Sequence, residues 1–367
     1  MSEQTEKRLK YAKDIVLRCI GPRGLYAGTY RYKYQYWTRD FTLAGLYALL
    51  SLGQIDVIKR HLLNTARRQK KSGKIPIMFL QTKLGFASIH FKDWIGHPLT
   101  FVDQLRIYFK KGHLMGGGFS FSDITPWTND GETLFIIGCI EYVNATGDRE
   151  FLDKVWPNIQ KAIQYIEKHI IKHGLVFGGD WRDVMPNLDY NILLSNNALL
   201  YRAYVLLEEA EKAETVKKLI NDLFWTGSYY RDSLGSEDFD TLGQSLAIIY
   251  DIVPEQRFAA ILEKYKEINS QYGYRTNNNV PDRSLITPRI QKLCDQFGTV
   301  WPFIAGFGIL ALIKMGQIEE AKKQFMKWPG FHEWYDPESG KGLGDKEQLW
   351  SAAMYLRVYD TLSPYLS

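Results

Sequence analysis

The stretch IAGFGILALIKMGQIEEAKKQFM, residues 304–326, decides how the chain is read. Its first half is apolar on every side, so a helix built from it has no face to give to water and must be enclosed. After Gly316 the chain returns with Glu, Lys and Gln on one face and Ile318, Ala321 and Phe325 at helical spacing on the other. The unit is an inner helix folded back on an outer one. The same pattern recurs in LAGLYALLSLGQIDVIKRHLL (43–63) and LFIIGCIEYVNATGDREFLDKVWPNIQKAI (134–163).

Carried along the chain, the periodicity predicts helices near 4–19, 41–52, 54–70, 131–146, 149–172, 195–210, 211–224, 240–251, 254–268, 299–315, 317–327 and 347–362. About a dozen helices in about six pairs imply an all-α fold, an inner ring wrapped by an outer ring. That is the (α/α)6 barrel, expected as a single domain over residues 1–367. A straight solenoid also repeats helical pairs. The long segments 71–130, 173–194, 225–239, 269–298 and 328–346 favour the ring, because each precedes an inner helix and all therefore gather at one end. Chemistry is expected on those loops, held by a rigid scaffold. Within the first of them, KIPIMFL (74–80) and GFASIHF (85–91) read as short extended pieces.

Composition narrows the function classes. With 45% apolar and 24% charged residues, the chain can bury a large core and is not disordered. The net charge of +5 is spread along helices, which speaks for solvated faces and against a nucleic-acid partner. Cys19, Cys139 and Cys294 are odd in number and show no C-x-x-C pairing, which argues against both a disulfide framework and a zinc site. The longest uncharged apolar run, Trp301 to Ile313, contains Pro302, Gly306 and Gly308 and is too short for a membrane span. The opening MSEQTEKRLKYAKD lacks the apolar core of a signal peptide, which leads to the expectation of a cytoplasmic protein. Apolar residues on the outer helices do not distinguish a monomer from an oligomer. The ten Trp and twenty-three Tyr fall largely beside acids, Arg or Asn near helix starts. Aromatic faces suit the C–H faces of a pyranose, while carboxylates, amides and guanidinium groups bond its hydroxyls, so a small sugar or oligosaccharide is the expected ligand.

Four clusters carry that expectation. Tyr36, Trp37, Thr38, Arg39, Asp40 and Phe41 open the first enclosed helix; Asp40 alone would be an N-cap, but a cap needs neither Trp37 nor Arg39. Trp127, Asn129 and Asp130 open the next, with capping and hydroxyl contact both open to Asp130. GGDWRDVMPNLDY (178–190) crowds Asp180, Arg182, Asp183 and Asp189 around Trp181. A carboxyl held against an aromatic ring loses hydration and stays protonated to higher pH, as a general acid requires; a structural salt-bridge knot is the competing reading. In FHEWYDPESGKGLGDKEQLW (331–350), Glu333 between His332 and Trp334 is the candidate general base. Glu347 reads as a first-turn helix acid, and Gln348 and Trp350 follow it. Asp238 and Asp240, in SLGSEDFDTLGQSLAI (233–248), read first as caps.

From about residue 30 onward these clusters stand in the order seen in six-hairpin glycosidases acting on α-linked sugars. YWTRDFTLAGLYALLSLG (36–53) resembles the opening element of glycogen debranching glucosidase domains, glucoamylases and neutral/alkaline invertases. GDWRD (179–183) is similar to the acid-bearing element of the debranching and invertase families, which puts Asp183 at the acid position. HEWYDPESGKGLGDKEQLWSAAMYL (332–356) resembles the invertase base segment, and the base carries over to Glu333; TVWPFIAGFGILAL (299–312) resembles the penultimate inner helix. The resemblance implies a glycoside hydrolase that cleaves an α-glucosidic bond of a small sugar such as sucrose, or of a short α-glucan, with inversion. Asp183 would protonate the leaving oxygen and Glu333 activate water across a separation of about 6.5–9.5 Å. Arg39 and Asp40 would clamp hydroxyls, with Trp37, Trp127 and Trp181 as walls and Asp130, Asp180, Arg182, Trp334 and Gln348 completing the sugar site. Against this stand a sugar isomerase or epimerase, for which His332 is the one clustered histidine, and a non-catalytic sugar-binding protein on the same barrel.

Overall fold

The computed structural model describes residues 3–81, 128–182, 191–279 and 295–366. Helices α1 (Glu3–Arg18), α2 (Thr38–Asp40, Phe41–Gly45 and Leu46–Ser51 end to end), α3 (Ile55–Ala66), α4 (Gly131–Thr146), α5 (Arg149–Tyr165) and α6 (Leu194–Leu206) come first. They are followed by α7 (Ala210–Leu223), α8 (Thr241–Ile249), α9 (Phe258–Glu267), α10 (Pro302–Lys314), α11 (Ile318–Met326) and α12 (Leu349–Leu362). Most boundaries fall within a few residues of the expected ones, because the apolar period and the Gly or polar breaks both survive folding. GFASIHF and Cys294 lie outside the described residues.

Even-numbered helices are the enclosed ones. α10 buries every residue from Pro302 to Leu312, whereas α7 buries only Ala213, Val216 and Ile220, a single stripe. α2 packs on α4, α4 on α6, α6 on α8, α8 on α10, α10 on α12, and α12 returns to α2. Among the described residues the contacts of the six enclosed helices therefore form a closed circuit, with α1, α3, α5, α7 and α11 packed outside it. α9 joins through Tyr265, whose hydroxyl lies 2.7 Å from Ser245 Oγ on α8. Gly306 shows how tight the packing is: a Cβ there would lie 2.2 Å from Met354 Cγ on α12.

The loops entering the enclosed helices hold short strands, more widely than the sequence led one to expect. Paired segments Ile20–Gly21 and Gly24–Leu25, Ile171–Lys172 and Leu175–Val176, Arg231–Ser233 and Ser236–Phe239, Asn269–Ser270 and Gly273–Tyr274, and Trp334–Tyr335 and Gly342–Leu343 form small hairpins. Strands of two to four residues are too short to show a period, which is why the sequence does not reveal them. Gln35–Trp37 pairs with Met78–Leu80, inside the extended piece 74–80.

Single bridges then stitch loop to loop: Thr128 with Gly179, Leu193 with Ser233, Asp240 with Asn277, Val300 with Tyr335, and Gly28 with Gln348. With the Gln35–Trp37 pair, these bridges link all six entry loops in the same circular order as the helices. The N-cap residues Trp37, Leu193, Asp240, Trp301 and Gln348 are extended. The chain thus runs from a bridge straight into each of these helices. Six helix N-termini, with their positive dipole ends, gather at the end where the entry loops are bridged, a setting that favours carboxylates. No helix of the described residues is long and apolar enough to cross a membrane.

Candidate active site

The site is built on the residues just before and at the enclosed N-termini. In α2 the chain widens into a π turn at Phe41–Gly45 immediately after Arg39 and Asp40. Arg39, 2% exposed, bonds Asp130 bidentately, Nε to Oδ2 at 2.6 Å and Nη2 to Oδ1 at 3.1 Å, and Nη2 also reaches the Asp180 carbonyl at 3.2 Å. Asp130 stands at the N-cap of α4, yet its carboxylate makes no cap bond. Its charge serves Arg39 instead, tying the first two loops to the third. Asp40 accepts from Gln348 Nε2 at 3.2 Å, which joins α2 to α12, and Gln348 Oε1 is buried without a partner among the described residues. Trp37 is half-buried, with Nε1 donating to Gln35 Oε1 at 2.8 Å.

The third loop holds a guanidinium between carboxylates. Arg182 donates from Nε and Nη2 to Asp180 at 3.0 and 2.8 Å, and from Nη1 and Nη2 to Asp232 at 2.9 Å each. Asp180 also accepts from the Arg182 N–H at 3.0 Å and from Ser195 Oγ at 2.6 Å. Burial pushes the Asp180 carboxyl up, but the Arg182 charge and these bonds outweigh it and hold the group below the usual carboxylate range. A carboxylate kept ionised by a buried bidentate partner is a poor proton donor. Asp183 and Trp127 lie outside the described residues. Trp181 is buried edge-on to Trp301, Phe303 and Trp350, with ring centroids 5.1, 5.3 and 6.4 Å away.

The sixth loop treats its carboxylate differently. Glu333, 1% exposed, accepts from Tyr32 Oη at 2.6 Å on Oε1, and from the Asp345 N–H at 2.9 Å on Oε2. Arg31 Nη1 stands 3.5 Å from Oε2. Burial raises the Glu333 pKa, with Arg31, Tyr32 and the Asp345 N–H pulling the other way. Gly344, at φ +72°, makes the approach possible, since a Cβ there would lie 2.3 Å from Glu333 Oε2. Trp334 next to it is buried, and its indole N–H meets no acceptor among the described residues. Burial also raises Asp345, which accepts from the Tyr32 N–H at 3.2 Å.

Some expectations need correcting. Glu347 is not a first-turn acid of the last helix, which begins at Leu349. Arg18 of α1 grips it from Nη1 at 2.6 Å and Nη2 at 2.9 Å, with Tyr11 and Thr29 also donating, and its pKa falls to about 2. Asp240 does cap α8, accepting from Gly243 N–H at 2.6 Å. His332 Nδ1 lies 3.2 Å from Tyr335 Oη, and burial lowers its pKa. Among residues that escaped sequence reasoning, Tyr32 lies in the alternating run YRYKYQY (30–36), which could have marked it. Asp232 and Ser195 carry no local signal, because tertiary contact brings them to Arg182 and Asp180, and Asp345 meets the Tyr32 N–H only across the fold. Glu132, in the first turn of α4, is 1% exposed, accepts from Ile75 N–H at 2.9 Å, and burial lifts it to about 7. Cys19 and Cys139 are buried and free. No group of described His, Cys, Asp or Glu residues is arranged to hold a metal ion.

No family model matches this chain, and no curated protein sequence does. Solved structures do resemble it. A wild-type protein named as a glycosidase superposes with TM-score 0.68 at 14% identity, covering 99% of each chain. A glycosidase variant in complex with glucose gives 0.67 at 13% identity over 99% of each. The GH63 mannosylglycerate hydrolase from Thermus thermophilus, in complex with Tris and D-glycerate, gives 0.66 at 14% identity over 95% of this chain and 99% of that one. At such identities the shared property is the fold, a helix-rich architecture found in glycosidases.

Proposed function

We propose that this chain is an inverting glycoside hydrolase built as one (α/α)6-barrel domain, with Glu333 as general base and Asp183 as general acid. The observation that carries the reading is the Glu333 carboxyl: buried, raised in pKa by that burial, and oriented by the Tyr32 phenol and the Asp345 N–H. A base needs a carboxylate that is oriented and still basic, and this one is both. Its loop precedes α12 and the 178–183 segment precedes α6, three places apart in the circuit of six, so the two loops stand across the ring axis. Inverting hydrolysis needs its two carboxyls on opposite faces of the sugar with room for a water.

With Asp180 held ionised by Arg182, the neighbouring Asp183 is the better acid. Arg39, Asp40, Asp130, Trp37, Trp127, Trp181, Trp334 and Gln348 surround the sugar, and no metal or organic cofactor takes part. The substrate is a small α-glucoside such as sucrose or a short α-glucan. The isomerase reading loses support because His332, its one clustered histidine, is engaged with Tyr335. The test incubates wild type, Asp183→Asn and Glu333→Gln with sucrose, trehalose, isomaltose, maltooligosaccharides and mannosylglycerate. Release of sugar by wild type alone supports the proposal; near-full activity in either variant removes that residue from its role.

A further inference from the structure

Arg182 sits among three carboxylates and serves only two. Arg182, Asp180, Asp232 and Asp240 are all 4% exposed or less. Asp180 and Asp232 each take two bonds from the guanidinium. Asp240 Oδ1 stands 3.9 Å from Nη1, beyond hydrogen-bond reach, and meets no donor among the described residues, while its Oδ2 caps α8. Three ionised carboxylates around one guanidinium would leave two net negative charges in an enclosed layer. An ionised oxygen without a donor is the costliest member of such a set, and a proton on it removes the charge, the larger part of that cost.

We propose that Asp240 is a positioning residue that works as the neutral acid: protonated at Oδ1, it leaves the guanidinium of Arg182 to Asp180 and Asp232, and so holds Trp181 against Trp301, Phe303 and Trp350. Ionised, Asp240 competes for Nη1 and draws Arg182 away from Asp232, which loosens the 180–182 segment. Among the described residues, the groups bearing on it are Arg182 and Asp180 before α6, Asp232 and, through it, Asp238 in the hairpin before α8, and Tyr265 of α9. Burial pushes Asp240 up most, Arg182 opposes, Asp232 and Asp180 add to the rise, and the result is about 7. The segment is therefore locked below that pH and released above it. The lock leads directly into the candidate acid, so its effect on activity rests on the proposed function, whereas its effect on Trp181 does not.

The test follows the Trp181 indole N–H resonance of the full ¹⁵N-labelled chain, assigned by its loss in Trp181→Phe, from about pH 6 to about pH 9. The expected result is a transition near pH 7 in wild type, retained in Asp238→Asn and absent in Asp240→Asn, which keeps the cap acceptor without the charge. Asp240→Ser, another cap former, repeats the test if Asn disturbs folding. A transition that persists in both Asp240 variants, or none in wild type, overturns the proposal. In hydrolysis assays, the alkaline limb of kcat should move to higher pH in Asp240→Asn with KM changed less than about twofold. A limb that stays in place while the Trp181 transition disappears would overturn the positioning role. Absence of hydrolysis altogether would count against the functional reading and leave the resonance readout to decide this one.

Discussion

The loop carrying Glu333 and the loop carrying Asp180 precede enclosed helices three places apart in the circuit, and they handle buried carboxylates in opposite ways. Asp180 is saturated: a bidentate Arg182, a backbone N–H and Ser195 leave it ionised and rigid. Glu333 is oriented by a phenol and a backbone N–H, with an arginine at 3.5 Å, and burial is the largest influence on it. Equal burial thus gives opposite shifts, down for Asp180 and up for Glu333. The lesson is that an acidic, aromatic sequence cluster does not by itself name the working carboxylate. What decides is how much of its hydrogen-bonding capacity the protein has already used.

The contrast can be broken from either side. Glu333→Gln keeps an acceptor for the Tyr32 hydroxyl but removes the proposed base, and should lower hydrolysis by roughly 10²–10⁴-fold. Arg182→Met should do the reverse. It leaves buried carboxylates without their cation, and denaturant titration should show a loss of about 3–5 kcal/mol. Gly344→Ala places a methyl group against the Glu333 carboxyl at a positive φ. It should reduce kcat roughly tenfold, a loss of about 1.4 kcal/mol of transition-state stabilisation, with KM nearly unchanged.

The smallest effect lies at the rim. Glu347 is lowered from 4.5 to about 2 by Arg18 and its other donors, so the stability it contributes is present above about 4.5 and is lost as pH falls towards 2. Because Arg18 is substantially exposed, the contribution is modest. Arg18→Ala should flatten the acid side of the stability curve without altering activity at neutral pH. For Glu333 the sign differs in its consequence: as the proposed base, with its pKa raised by burial, it should set the acid limb of kcat/KM above the ordinary glutamate value of 4.5.

The helices were legible because enclosed and exposed faces differ in composition over many residues; α10 and α11 can be drawn from 304–326 alone. The Asp180–Arg182 region was legible as a cluster, with the salt-bridge knot already one of its two readings, but its third member was not. Asp232 lies in RDS, outside every motif, and reaches Arg182 only because a hairpin bends it there. Tyr32 was passed over for a similar reason: an alternating Tyr run reads as strand or surface, and its hydroxyl finds Glu333 only across 301 positions of sequence. The collar of single bridges was illegible because one paired residue leaves no period. Glu347 misled because a carboxylate near a helix start is a common sight, and Arg18, 329 positions away, was its true partner.

The most direct test of the account is the configuration of the sugar released. Wild-type protein is mixed with the α-glucoside it cleaves fastest, and ¹H NMR spectra are collected before mutarotation mixes the anomers. The account predicts that the β-anomer appears first and that Glu333→Gln releases neither. Initial release of the α-anomer would contradict inversion, and continued release by Glu333→Gln would contradict the base.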